Sequence, residues 1–597
     1  MPSLCGPKRP SSAPFQYDGA SSAAEILPSV SATSGNAGLL SWIEQFLKGT
    51  STHLNLVGGG NGVRFVRLPR VKVVLALLLV PVLFLAGCSR QLGKADFVFM
   101  NGAEPETLDP ALITSQPESR LAYALFEGLT AFDRSGTPVP GVAENWEISP
   151  DGLVYTFHLR RNAKWSNGDP VTTADFIQSW RRALAPETAS EYASQLYYLR
   201  NGKGYNEGTI KDFGQVGVRA IDPYTLEVTL ENPTSFFLDL CAFSTLLPVH
   251  MPTVEKYGDD WTKPGKLVGN GPYVLTEWRI NDRIRFTKNP YYWDRDNVAM
   301  KTVDALPISR ANTSFNFYAA GQSDLIMDKG LVPNQFLDEL KKRPDFHSAP
   351  FLGTMFLRFN CKKPPFQDAR VRKAFSLVID KSLLVNKITR AGEPVASSLT
   401  PSGTAGYQPP PGLSYNVAKA RELLAQAGYP DGRNFPHVSF LYNEGDVNEG
   451  LAVEMQAMFR QSLGVSIDLQ RQEWKVYLRS LSSLDYDICR SSWVGDYNDP
   501  NTFLASFITD DGNNRTGWSN TEFDHLIADA GKEPDREKRF AIFRRVEQIL
   551  ISEEAPICPI YFYVGVEFYD GAKLGGIQAN LLDEHPLKAM YWKDGHR

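Results

Sequence analysis

Residues 149–184 read SPDGLVYTFHLRRNAKWSNGDPVTTADFIQSWRRAL, in which a strand pattern is followed by a helix pattern. After the Ser-Pro-Asp-Gly turn, residues 153–160 alternate between apolar and polar side chains, which predicts a half-buried β-strand. Residues 170–184 have helical spacing, with Thr172 or Thr173 as the N-cap. This stretch therefore predicts a domain that is built from both strands and helices.

The same interleaving continues in both directions along the chain. A strand is predicted at 95–101, and a hairpin at 218–229 turns near Asp222. Further helices are predicted at 119–128, 325–340, 370–389 and 417–427. With no short internal repeat, the pattern indicates an α/β or mixed α+β class, and 597 residues are enough for several lobes.

An export signal precedes this body. Residues 73–87 are apolar or small apart from Pro81, they follow a basic flank at 64–72, and they end in Leu-Ala-Gly before Cys88. A membrane-spanning helix needs about 20 apolar residues, so a signal peptide at 63–87 is favoured over a transmembrane anchor. The Leu-Ala-Gly-Cys motif resembles a bacterial lipoprotein signal, which implies that Cys88 is lipidated.

The segment in front of this signal has a different composition. Residues 1–62 are rich in Ser, Ala, Gly and Pro, so they can bury little apolar surface and are predicted to be disordered. A signal peptide normally starts a few residues before its apolar run. We therefore expect translation to begin between residues 63 and 68, with the upstream residues outside the real protein.

Charge and motifs exclude several classes of function. The net charge is −5, and residues 1–87 are themselves basic, so the remainder is more acidic and unsuited to nucleic acid. No C-x-x-C, H-E-x-x-H, G-x-S-x-G, Walker A or G-x-G-x-x-G pattern occurs. We predict no metal, no other cofactor and no catalytic site. The scattered cysteines are expected to be small buried apolar residues: Cys241, Cys361, Cys489 and Cys558.

Several stretches together resemble one family and occur in the family's order from about residue 97 onward. They are ETLDP at 106–110, LFEGL at 125–129, GVAENW at 141–146, TFHLRRNAKWSNGDPVTTADF at 156–176, VGNGPYVLTEW at 268–278, KNPYYWD at 288–294, PPFQDARVRKAFSLVIDK at 364–381, ARELLAQAGYP at 420–430 and WVGDYNDP at 493–500. The chain resembles the periplasmic oligopeptide-binding proteins, which are the solute receptors of ABC peptide importers (solute-binding protein family 5).

The resemblance implies a type II periplasmic-binding-protein-like fold with three lobes and a hinged ligand cleft. Residues 88–96 would be a tether. Lobe II would be 127–250 and lobe III 353–564. Lobe I would be discontinuous, at 97–126, 251–352 and 565–597. Lobes I and III would close over an extended peptide.

The resemblance also implies the binding residues. The aspartate of the W-x-x-D-Y-N stretch, here Asp496, would hold the peptide's ammonium group; the alternative is that Asp496 only caps a turn. Arg490 would meet a C-terminal carboxylate. The match to a cleft tyrosine is Tyr192. The matches to main-chain partners of the peptide are Ser115, Gln116, Ser492 and Val494. The matches to walls of side-chain pockets are Trp474 and Trp493. Each aromatic residue has a plain core alternative.

The chain departs from enterobacterial members of the family at three places. Gly353 and Val494 stand where those members have a disulfide. A pocket arginine is replaced by Leu481, although Arg479 is near. A pocket glutamate is replaced by Arg358, which would favour acidic side chains or free carboxylates if it points into the cleft; the alternative is a solvated strand residue.

The function implied is that of an extracytoplasmic receptor that delivers short peptides to the membrane permease of an ABC importer. It would be a monomer and not an enzyme, in the periplasm, anchored through Cys88 to the inner or the outer membrane. One alternative is the same fold binding a murein peptide, a dipeptide or another solute. A more distant alternative is a secreted peptide hydrolase, for which the sequence offers no nucleophile or metal motif.

Overall fold

The computed structural model describes residues 93–593 of the chain. The segment at 1–62, the signal peptide at 63–87 and Cys88 lie outside the described residues, as do residues 594–597. In the part that is described, no helix is long and apolar enough to cross a membrane.

The described residues contain eighteen β-strands. In chain order they are β1 Phe97–Met100, β2 Thr130–Phe132, β3 Pro138–Pro140, β4 Ala143–Ile148, β5 Val154–Leu159, β6 Val218–Asp222, β7 Thr225–Thr229, β8 Tyr273–Arg279, β9 Arg283–Lys288, β10 Thr302–Leu306, β11 Leu325–Ile326, β12 Phe346–Phe359, β13 Ser439–Asn443, β14 Asp468–Gln472, β15 Ile488–Val494, β16 Ile557–Phe568, β17 Leu574–Gly575 and β18 Tyr591–Trp592.

The α-helices of the same residues alternate with these strands. They are α1 Gln116–Leu125, α2 Thr173–Leu184, α3 Gly202–Asn206, α4 Phe237–Leu240, α5 Met251–Tyr257, α6 Ala311–Ala319, α7 Leu337–Leu340, α8 Ala369–Leu377, α9 Lys381–Leu384, α10 Val417–Gln426, α11 Asp446–Leu463, α12 Trp474–Ser482, α13 Asn501–Leu504, α14 Thr521–Ala530 and α15 Arg536–Gln548. The predicted mixed α/β class is confirmed.

A ten-stranded mixed sheet connects most of the chain, in the order β14-β13-β15-β12-β16-β11-β1-β10-β9-β8. Its centre is the antiparallel pair of β12 and β16, which are 14 and 12 residues long. Their register shifts between Pro350 and Thr354. This irregularity coincides with the predicted boundary between lobes I and III at residues 352 and 353. The strands β12 and β16 therefore run through both of these predicted lobes. The division into three lobes itself stays a prediction.

A four-stranded antiparallel sheet, in the order β4-β5-β7-β6, forms a second layer. The alternation predicted at 153–160 is confirmed, because β5 buries every second residue. The helix predicted at 170–184 is α2, and its N-cap is Thr172. The backbone N–H of Thr172 donates to Asp175 Oδ2 at 2.7 Å. The apolar face of α2 places Trp180, which is fully buried, in the core between helix and sheet.

The helix predicted at 325–340 is wrong. Leu325 and Ile326 form the short strand β11, which is inserted between β1 and β16, and only Leu337–Leu340 is α-helical. Pro333 lacks the N–H that a continuous helix would need. A short apolar run has no periodicity that separates a buried strand from a buried helix.

A buried ion pair joins two segments that are predicted to lie in different lobes. Asp109 is 3% exposed and accepts hydrogen bonds from Arg182 Nη1 at 2.9 Å and from Nη2 at 2.5 Å. The indole N–H of Trp261 donates to the same carboxylate at 3.2 Å. This carboxylate therefore ties α2 to the turn before α1.

Asp109→Ala is expected to lower the free energy of unfolding by about 3 kcal/mol or more, because it leaves the Arg182 guanidinium without its counter-ion. Urea denaturation followed by circular dichroism measures this change. The matched control is Lys342→Ala, which removes an ion pair with Glu339 whose side chains are 69% and 76% exposed. The control should change stability by less than about 0.5 kcal/mol, and an equal effect of both variants would contradict the expectation.

Candidate functional site

The carboxylate of Asp496 lies in a bend just after β15. Its Oδ2 accepts a hydrogen bond from Gln195 Nε2 at 3.0 Å, and its backbone N–H donates to Thr502 Oγ1 at 3.0 Å. Burial raises the pKa of Asp496 to about 7, against the opposing effect of the Gln195 hydrogen bond. Among the described residues no cation forms an ion pair with this carboxylate. A half-buried carboxylate without a charged partner is suited to accept a ligand cation.

Tyr192 stands beside Asp496 although the two are far apart in sequence. It precedes the 3₁₀ turn Ala193–Leu196, which also carries Gln195, and its ring lies 5.7 Å from that of Phe243. The charge of Asp496, followed by burial, raises the pKa of Tyr192 above its ordinary value. The structure therefore places Tyr192 and its turn close to Asp496, and the role of both residues in peptide binding stays a prediction.

An aromatic layer behind Asp496 was not found by sequence reasoning. The rings of Phe236 and Tyr497 are stacked at 3.9 Å, and the hydroxyl oxygens of Tyr198 and Tyr497 are 3.0 Å apart. Asn501 Nδ2 donates to the Tyr497 hydroxyl at 3.0 Å. Only the position of Tyr497 next to Asp496 could have signalled this layer, since its partners come from a distant segment.

One edge of β15 is open beside this site. On one side β15 pairs with β12 along its whole length, whereas on the other side the described pairings with β13 involve only Ile488 and Cys489. Residues 491–494 thus have a main-chain edge without a neighbouring strand among the described residues, and these residues include Ser492, Trp493 and Val494. Such an edge can pair with an extended peptide.

Arg490 lies at the beginning of this edge. Its Nη2 donates to the Tyr563 hydroxyl at 2.8 Å, and its Nε is buried without a hydrogen-bond partner in the described part of the chain. Burial lowers the pKa of Arg490, but the neighbouring Tyr563, Tyr477 and Tyr561 outweigh it and raise the pKa above its ordinary value. The guanidinium is therefore a permanent cation with donors left for an anion.

The two tryptophans differ in their surroundings. Trp474 begins α12, is 50% exposed and stacks on Tyr477 with ring centroids 5.4 Å apart. Trp493 is half-buried, and its Nε1 has no hydrogen-bond partner within the described residues. Because a core tryptophan is normally more buried, both fit the prediction of pocket walls, which stays a prediction.

Ser115 and Gln116 mark the start of α1. Ser115 is the exposed N-cap residue, and its carbonyl accepts a hydrogen bond from the Ser119 N–H at 3.0 Å. Gln116 is the first residue of the helix and is half-buried. Their contacts are thus local, and their pairing with a ligand stays a prediction.

Gly353 and Val494, the two positions at which the resemblance implies a missing disulfide, are direct cross-strand neighbours. A Cβ built on Gly353 would lie 2.6 Å from Tyr563 Cδ2, so the tyrosine ring occupies the space of a side chain at 353. All four cysteines of the described residues are free thiols, with Cys361 half-buried and the others buried.

Arg358 is not the solvated strand residue of the alternative interpretation, because it is only 3% exposed. Its Nε donates to Ser491 Oγ at 3.0 Å, and its Nη1 donates to the carbonyl of Asn513 at 2.9 Å. Leu481, at the other departure from the family, is buried against Tyr486 and Cys489. The residues around the cleft therefore include a buried arginine whose hydrogen-bond partners are neutral.

A group with metal-ligand chemistry lies elsewhere, at Glu567, Asp583 and His585. The Nε2 of His585 is 2.6 Å from Glu567 and 3.3 Å from Asp583. Burial lowers the pKa of His585, but the two carboxylates outweigh it and raise the pKa to about 10. The imidazolium compensates one of the two carboxylate charges and contacts both carboxylates, so the group is interpreted as an ion triad.

Fold and site together define a periplasmic-binding-protein-like molecule with an open strand edge between groups of opposite charge. The chain belongs to the bacterial extracellular solute-binding proteins of family 5, because residues 137–515 match the sequence profile of that family, described as "Bacterial extracellular solute-binding proteins, family 5 Middle".

Individual relatives support this assignment. The chain is 38% identical over 508 residues to the periplasmic oligopeptide-binding protein OppA of Salmonella typhimurium, covering 83% of this chain and 92% of that protein. The structure of the murein tripeptide binding protein MppA of Escherichia coli has a TM-score of 0.76 at 36% identity, covering 84% of this chain and 99% of that one. Haemophilus influenzae OppA in complex with RPPGFSPFR has a TM-score of 0.74 at 33% identity, with the same coverage.

The raised pKa of Asp496 predicts a pH-dependent effect of Asp496→Asn on the ligand-free protein. Because the folded-state pKa is about 7 and the ordinary value is 3.8, the native state loses stability as pH rises between these values. The variant should therefore match the wild type near pH 4 and exceed its free energy of unfolding by about 2–4 kcal/mol at pH 8.

Urea denaturation at five pH values from 4 to 8 measures this difference. The control Asp296→Asn removes a carboxylate whose side chain is 93% exposed. A difference for Asp496→Asn that stays constant with pH, or that falls as pH rises, would contradict the expectation.

Proposed function

We propose that the protein is an extracytoplasmic receptor that binds short peptides in an extended conformation and delivers them unchanged to the permease of an ABC importer. The observation that carries this proposal is the half-buried Asp496 carboxylate, without a described cation partner, at the end of an open strand edge. A free peptide ammonium supplies the missing charge. The names of the relatives, which include oligopeptide-binding and murein tripeptide-binding proteins, support the same class of ligand.

The proposed cleft recognises what all peptides share. The edge at 491–494 pairs with the ligand main chain, which gives affinity without reading the sequence. Asp496 binds the ammonium group, and Arg490 binds the C-terminal carboxylate of a short peptide through its free donors. The ends of the ligand thereby set its direction, which is antiparallel to β15.

A murein peptide is the second candidate ligand, because the relative from Escherichia coli is a murein tripeptide binding protein. If the ligand were a dipeptide or another solute, Arg490 would have to contact a different group of the ligand. The secreted hydrolase is a separate class, and it would be recognised by cleavage of bound peptide. We propose binding without catalysis, and membership of a family of solute-binding proteins supports this.

The proposal includes attachment to a membrane through lipidated Cys88, which would hold a monomeric receptor close to its permease in the periplasm. The Leu-Ala-Gly-Cys motif at 85–88 supports it. Two anchoring signals are normally needed when a single acyl chain is present, and a diacylated cysteine meets that requirement.

Acetylation of the ligand's amino group should remove binding. Calorimetric titration of protein stripped of ligand by unfolding and refolding compares trialanine with N-acetyl-trialanine. Trialanine should bind at least 100-fold more tightly, since acetylation leaves Asp496 without its counter-ion. Asp496→Asn should reduce trialanine affinity by a similar factor, whereas Asp296→Asn should leave it unchanged. Equal affinity for both ligands would reject capture of an ammonium group.

Arg490→Gln tests the other end of the ligand. It should weaken binding of trialanine about tenfold or more, because a charge-assisted hydrogen bond contributes about 1.5–3 kcal/mol. Trialanine amide should bind the variant and the wild type with similar affinity, since no carboxylate is present to lose. The same calorimetric titration gives all four values, and an equal loss for both ligands would show that Arg490 acts only on the structure of the cleft.

A further inference from the structure

Arg358 is a buried cation without a described counter-ion. Its two hydrogen-bond acceptors, Ser491 Oγ and the Asn513 carbonyl, are neutral, and its Nη2 makes no hydrogen bond within the described residues. The rings of Phe356 and Phe507 lie 5.1 Å and 5.2 Å from the guanidinium carbon. Burial lowers the pKa of Arg358, which is the signature of a charge that lacks compensation.

Arg515 is a second cation, in the loop that accepts a hydrogen bond from Arg358. It is half-buried, its Nε donates to the Gly512 carbonyl at 3.3 Å, and no ion pair involving it is found among the described residues. Arg358 Nη1 donates to the carbonyl of Asn513, so the loop that carries Arg515 two residues later lies against Arg358. The charge of Arg515 also opposes the ionised form of Arg358, although less than burial does.

The strand register assigns Arg358 to one face of β15. Arg358 is the cross-strand partner of Cys489, and Phe356 is the partner of Ser491. Side chains alternate along a strand, so Cys489, Ser491 and Trp493 share a face with Arg358. The hydrogen bond from Arg358 to Ser491 agrees with this assignment.

The same alternation selects one residue of the ligand. An added strand that runs antiparallel to β15, with its ammonium group at Asp496, places its first residue opposite Val494 and its second opposite Trp493. Residues directly opposite each other project to the same face of a sheet. The side chain of the second ligand residue consequently projects to the face that carries Trp493 and Arg358.

We propose that Arg358 and Arg515 form a subsite that selects a carboxylate side chain at the second residue of the bound peptide. Two cations that lack described counter-ions repel each other, and an anion between them removes that repulsion. A guanidinium with free donors is well suited to a carboxylate. This inference rests on the proposed function and adds to it the charge class of the ligand.

The first experiment uses the wild-type protein and calorimetric titration of Ala-Glu-Ala, Ala-Gln-Ala and Ala-Lys-Ala at pH 7.5. Ala-Glu-Ala should bind at least tenfold more tightly than Ala-Gln-Ala, and Ala-Lys-Ala should bind most weakly. Equal affinities, or tighter binding of the lysine peptide, would overturn the subsite while leaving the proposed function standing. Binding of none of the three would overturn the proposed function and this inference together.

The second experiment assigns the preference to the two arginines. Arg358→Gln and Arg515→Gln should each reduce the ratio of affinities between Ala-Glu-Ala and Ala-Gln-Ala at least threefold, with little change for Ala-Gln-Ala. Arg545→Gln, which removes an arginine paired with Glu522 and Glu553, is the control and should leave the ratio unchanged. Should the buried Arg358→Gln fail to fold, the half-buried Arg515→Gln gives the same readout.

An unchanged ratio in Arg515→Gln, and in any folded Arg358→Gln, would overturn the assignment. The position of the subsite is tested with Glu-Ala-Ala and Ala-Ala-Glu. A larger preference for glutamate at the first or third residue than at the second would overturn the register.

Discussion

The antiparallel pairing of β12 with β16 holds the ten-stranded sheet together, and the position of every group in the cleft depends on it. β15 pairs with β12 from Phe359 to Gly353, so the bend that carries Asp496 begins where this pairing ends. The register of β12 against β16 shifts between Pro350 and Thr354, at the same end of the β12–β15 pairing. A main-chain ladder thus brings Asp496, the open edge and Arg490 into one line.

The cleft is also where the fold leaves charges without compensation. Several other buried ions of the described chain have charged partners, as Asp109 with Arg182 and Arg285 with Asp304 show, although the buried carboxylate of Glu547 accepts hydrogen bonds from neutral groups. Asp496 and Arg358 also have no charged partner among the described residues, and each raises the free energy of the ligand-free native state. An unpaired charge beside an open strand edge is expected at a functional site, because a ligand supplies what the protein omits.

The strand pair at Gly353 and Val494 is packed without a covalent cross-link. Gly353 and Val494 keep the cross-strand geometry, but the Tyr563 ring covers Gly353 and its hydroxyl accepts a hydrogen bond from Arg490. One tyrosine therefore packs against the strand pair and orients the cationic end of the cleft. Packing of an aromatic ring and a hydrogen bond to a charged donor replace a covalent constraint at this position.

Local sequence was sufficient for the parts of the molecule that local physics controls. The strand at 153–160, the capped helix after it and the mixed class follow from side-chain periodicity and capping, and the quoted stretches were enough to identify the family. Asp496 and Tyr192 could be selected only through that resemblance. Tertiary structure alone decided that Leu325 and Ile326 form a central strand, that Gln195 meets Asp496, and that Arg358 is buried beside neutral partners. These features depend on contacts between residues hundreds of positions apart, and neither periodicity nor composition carries information about such contacts.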